Sequence, residues 1–184
     1  MADPAEEARE EKLMRLASAA SESLVSGLAS FGLLDAPEAE PARVQVREKA
    51  RHLFLFVAIS VLLEEGGKGR ADAERLKDLF ALELLDVKKQ IRKVAKAALT
   101  GPNDAKYARE LEKAAGRDPF APYYGSFDKM RKNPQDGPFA IFARRVCDGH
   151  LEERQRRGAY DRVFMLAAEL SDRLIERIGQ SAHD

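Results

Sequence analysis

Cys147 and His150 stand three residues apart, close enough to share one face of a helix. A thiol and an imidazole in that relation form a nucleophile and its base only if the thiol ionises and a third group orients the ring. No third group is evident beside them, so Cys147 reads as a buried thiol. His52 follows Glu48 by four residues, the spacing of neighbours on a helix. That pair reads as a structural hydrogen bond, with no catalytic residue assigned.

Metal chemistry finds little to work with. The chain has three histidines and one cysteine, with no HExxH, no CxxC and no calcium-loop pattern. Glu64–Glu65 and Glu152–Glu153 are adjacent pairs, which point away from each other on a helix. The expectation is therefore no metal site and no cofactor. Residues 66–70, "GGKGR", place glycines and two cations before a helix start. A phosphate loop would need the GxxxxGK[ST] spacing after a strand, and both features are missing. The segment reads as an interhelical turn.

The clearest charge pattern is "KKQIRKVAKAAL", residues 88–99. At helical periodicity Lys88, Lys89, Arg92, Lys93 and Lys96 gather on one face, and Ile91, Val94, Ala95 and Ala98 on the other. Such a face suits phosphates or an acidic protein, and it also suits plain exposure to water. The charge of the whole chain is zero, but its distribution is polar: −5 over residues 1–48 and +8 over 88–157. Segments of opposite sign either neutralise one another or meet a charged partner.

A second candidate surface is "DPFAPYYGSFDKMRKNPQDGPF", residues 118–139. Pro119, Pro122, Pro134 and Pro138 forbid continuous helix. Phe120, Tyr123, Tyr124, Phe127 and Phe139 are too apolar for a free linker. Either the rings pack back onto the protein, or some form a contact surface with Lys129, Arg131 and Lys132 beside them. An ordered loop is expected, with Phe120 and Phe127 inward and a tyrosine at the surface. Tyr123 and Tyr124 are the partner-binding candidates in it.

The elements that position these residues are helical. Ala, Leu, Glu, Lys and Arg dominate the 184 residues, and no alternation of period two persists. Leu13, Leu16, Ala20, Leu24, Leu28 and Phe31 form a narrow stripe on a first helix over 3–31. "DAPEAEP", residues 35–41, reads as a linker. A second helix over 42–65 contains the apolar run 53–63, "LFLFVAISVLL", and belongs at the centre of a bundle. That run is too short for a membrane span. A third helical region follows over 72–99, as one helix or as two with Asp86 capping the second. A charged helix is expected over 103–116. The last helical stretch starts near Pro138 and runs to about 178, interrupted or bent near Gly149 and Gly158.

The fold class is all-α: a single-domain bundle of five to seven helices with a long proline- and aromatic-rich loop. Residues 1–34 are expected to form an amphipathic helix, attached as a loose arm, and 42–180 the core. One cysteine permits no internal disulfide, and the acidic start lacks a leader pattern. Together they suggest the cytoplasm. The functional expectation is a non-enzymatic protein-interaction module of regulatory, adaptor or immunity-like type. Its partner would be another protein, or a second copy through the first helix, with no membrane. The alternative is a nucleic-acid-binding protein using the face at 88–96, and the third reading is an enzyme with a pocket near His52 or Cys147.

Overall fold

α1, Arg9–Ser30, buries one side of itself: Leu13, Ala17, Ser21, Leu24, Val25 and Leu28 are inside. Relative to the expected stripe, Leu16 and Ala20 lie at its margin and Phe31 is 46% exposed. The helix ends at Gly32, whose φ of 71° is cheap only without a Cβ. There the Leu33 amide donates to Leu28 O and the Gly32 amide to Ala29 O, both at 2.9 Å, a Schellman ending.

The computed structural model describes residues 9–98 and 118–180, and within these the side chains of all but 84–98 and 157. The expected linker holds one 3-10 turn, Pro37–Ala39, before α2 begins at Glu40. Arg43 fastens it, donating to the carbonyls of Leu34, Asp35 and Ala36. α2, Glu40–Glu65, buries seven successive residues, Leu53–Ile59, and packs against α1, α3, α5 and α6. α3 is Gly67–Ala98, while α4, α5 and α6 are Ser126–Met130, Pro138–His150 and Glu153–Gln180. No strand occurs among the described residues. The bundle is all-α and single-domain, with one hydrophobic cluster drawing on all the long helices. No helix among the described residues is long and apolar enough to cross a membrane.

One boundary differs from expectation, and one open choice is decided. The turn after α2 is confined to Gly66, and α3 starts at Gly67. A Cβ on Gly69 would stand 2.5 Å from Leu62 O, so the two helices meet there at backbone distance. α3 is one helix through Asp86, because an aspartate inside a helix need not cap one. Its apolar residues Ala73, Leu76 and Phe80 are buried. The chain breaks between α5 and α6 at Leu151, two residues beyond Gly149. Gly158 has a φ of 88° within α6. The expected helix over 103–116 lies outside the described residues.

Segment 118–139 is ordered. It contains the 3-10 turns Ala121–Tyr123 and Pro134–Asp136, with α4 between them. Phe56 of α2 meets Phe120, Tyr123, Tyr124 and Phe127 at ring-centroid distances of 6.5, 5.5, 6.4 and 5.7 Å. The rings pack onto the bundle.

α1 is also pinned by charge. Arg9 bonds Asp72 at 2.9 Å and Glu65 at 3.2 Å, and Arg75 bonds Glu10 at 3.2 Å. Asp72 and Glu10 are buried. Buried backbone exchanges only through opening. Amides of Leu13–Leu28 are therefore expected to exchange about as slowly as those of Leu53–Leu62. Markedly faster exchange in α1 would establish the loose arm, and protection rising with protein concentration would establish self-association.

Candidate anion-binding site

Lys49 and His52 lie one turn apart on α2, and Phe56 continues their face. Opposite them α5 brings Arg145 and, at its last residue, His150. The Lys49 ammonium meets His150 Nε2, 101 positions away in sequence. Gly149 adds no side chain there; a Cβ on it would stand 3.6 Å from Lys49 Nζ. Arg145 lies over the Tyr123 ring at 6.0 Å from its centroid. It approaches the Tyr123 hydroxyl without completing a hydrogen bond, and that hydroxyl is buried and unpartnered.

Electrostatics in this cluster runs one way. Burial, then Arg145, lowers the pKa of Lys49. Burial, then Lys49 and Arg145, pushes His150 down to about 4. His52 also falls to about 4, through burial and then Arg51 and Arg145, with Glu83 opposing. At neutral pH both imidazoles are uncharged, so the Lys49 ammonium donates a hydrogen bond to His150 Nε2. Among the described residues no carboxylate pairs with Lys49 or Arg145. Glu83 is taken by Arg51, and Asp148 and Glu48 are exposed. The negative end of α5 offsets part of the repulsion, and Arg156 covers the carbonyls of Leu151 and Asp148 there. What remains is a half-buried pair of cations with no carboxylate on either among the described residues.

The candidates named from sequence fall elsewhere. Lys88, Lys89, Arg92, Lys93 and Lys96 occupy the second half of α3, with their side chains outside the described residues. Lys129, Arg131 and Lys132 are exposed, and no hydrogen bond or ion pair among the described residues joins them to the cluster. Tyr123 corrects one expectation: it is fully buried, because its ring fills the gap between Phe56 and Arg145. Tyr124 is 58% exposed. His52 does not pair with Glu48. Its ring stands edge-on to Phe80 at 5.5 Å, with Nε2 buried and unpartnered. Cys147 is buried, and burial followed by Asp148 raises its pKa to about 11, so no thiolate forms near neutrality. Among the described residues no cluster of His, Cys, Asp and Glu could hold a metal ion.

Lys49 and Arg145 escaped the sequence reading. Each stands beside other arginines on its own helix, Arg47 and Arg51 on α2 and Arg144 on α5, and only tertiary packing brings Lys49 and Arg145 together. Comparison with protein-family models, curated proteins and solved structures finds no match to this chain.

Proposed function

We propose that the protein binds a nucleic-acid backbone, with Lys49, Arg145 and His150 taking a phosphate. The observation that carries this is the pair of half-buried cations with no carboxylate partner among the described residues. Unpaired buried charge is costly, and a phosphate diester supplies the missing counter-charge with acceptors for every donor present. α3 extends the argument. Glu83 on α3 bonds Arg51, two residues after Lys49. Positions 88–96 therefore lie roughly 8–20 Å further along the same helix axis, a length suited to successive phosphates. A labelled dodecamer titrated at 50 and 200 mM salt tests the reading. Arg145→Glu and Lys49→Glu should each weaken binding at least tenfold and flatten the slope of log K against log salt by roughly 0.7–0.9 per lost contact. Absence of binding by the native protein at 50 mM salt would sink it.

The same geometry has a further chemical reach. If His150 Nε2 exchanges its Lys49 hydrogen bond for a 2′-hydroxyl, it can take that proton as the oxygen attacks phosphorus, while the Lys49 ammonium protonates the 5′-oxygen that leaves. Shortening of RNA but not DNA in EDTA, lost in His150→Ala, would add cleavage to binding. The protein-interaction reading keeps support of a different kind. Phe31 and Met165, both exposed, border a shallow groove with Asp161, Arg162 and Glu169. Recovery of a bound protein through this groove, with no nucleic acid bound, would favour it.

A further inference from the structure

Tyr124 is the most exposed aromatic side chain among the described residues, at 58%. Its neighbour Tyr123 is fully buried, so the segment could have hidden a second ring and does not. The exposed ring is nevertheless fixed. Its hydroxyl donates to Asp118 Oδ2 at 2.6 Å, and its ring packs at 62° to Phe56 with centroids 6.4 Å apart. The next residue is Gly125, with open space where a Cβ would stand. A rigid ring loses little entropy when something stacks on it.

Its position links it to the cationic cluster. Phe56, on which Tyr124 rests, is seven residues after Lys49 and so lies two turns along the same face of α2. Phe56 also touches Tyr123, which lies beneath Arg145. An exposed ring joined to the cation cluster through Phe56 and Tyr123 is a stacking platform for a base. A duplex keeps its base faces stacked inside, so such a platform serves an unpaired strand. We propose that the ligand is single-stranded nucleic acid, its phosphate held by Lys49 and Arg145 and one base stacked on Tyr124. This rests on the reading of the cluster as a backbone site.

The test is fluorescence anisotropy of the full chain with a single-stranded RNA dodecamer, its DNA counterpart and a duplex of the same length. Either single strand should bind at least tenfold more tightly than the duplex, and a preference between them names the strand. Tyr124→Ala should weaken single-strand binding about tenfold with the salt slope unchanged, because stacking releases no counterions. Tyr124→Phe keeps the ring and should stay within about threefold of the native protein. Equal affinity for duplex and single strand, or Tyr124→Ala within twofold of native, overturns the proposal. Binding unaffected by Arg145→Glu would instead overturn the backbone site on which it stands.

Discussion

Phe56→Ala is expected to destabilise the protein by about 3–5 kcal/mol and to release segment 118–139 to trypsin. Phe56 is nearly buried, and four rings converge on it. The most nearly parallel is Phe127, stacked at 5.7 Å with 7° between planes. Removing the Phe56 ring strips a partner from each of the four, and the cavity cannot close without moving α4 or the turn before it. Lys129, Arg131 and Lys132 are exposed cleavage sites on that segment. In the native protein they should resist cutting, because a protease must draw several residues of extended chain into its cleft. Leu55→Ala is the control. Leu55 is also fully buried, so a comparable loss of about 2–5 kcal/mol is expected, but trypsin should not find the segment any sooner. Urea unfolding and limited proteolysis read the two effects. Rapid cutting of the native protein, or a Phe56→Ala loss below about 1 kcal/mol, would show that the rings do not anchor the segment.

Among the described residues, the long helices were legible in the sequence where periodicity or composition carried the information. The unbroken apolar run of α2 has no polar face to give to water, so its central place follows from hydrophobicity. The ring-rich segment could be divided between packing and contact only by an argument about exposure, and the structure assigns its two tyrosines to opposite sides. Nothing in their local sequence separates Tyr123 from Tyr124. Neighbouring residues in a tight turn point different ways, and the direction is set by Phe56, more than sixty positions earlier. Asp86 left α3 undecided between one helix and two for a related reason. A residue that favours helix starts does not force one when the flanking residues propagate helix. The cationic cluster was illegible for the strongest reason. Its chemistry lies in a contact between α2 and the end of α5, and neither Lys49 nor Arg145 departs from an ordinary helix surface pattern.

The stability of the protein is expected to fall by about 2 kcal/mol between pH 7 and pH 5 through His52 alone. The sign follows from proton binding. The folded pKa of His52 is about 4, while its ordinary value is 6.5. Between those values the unfolded chain holds more protons than the folded one, so stability is full above pH 6.5 and declines as pH falls towards 4. Burial beside Phe80, with Arg51 and Arg145 near, makes the charged form costly. His150 acts in the same direction, with a smaller contribution because water reaches it. Urea unfolding at both pH values should show the loss in the native protein and a much smaller one in His52→Phe. An imidazole titration by NMR reads the same pKa directly, and a midpoint near 6.5 would defeat the argument. A bound phosphate should reverse the trend at His150. It favours the imidazolium, so binding takes up a proton and affinity should rise as pH falls from 7 to 5.5, by up to about tenfold. The His150→Gln variant should lose that rise while keeping its salt dependence. An affinity independent of pH in the native protein would place the phosphate away from His150.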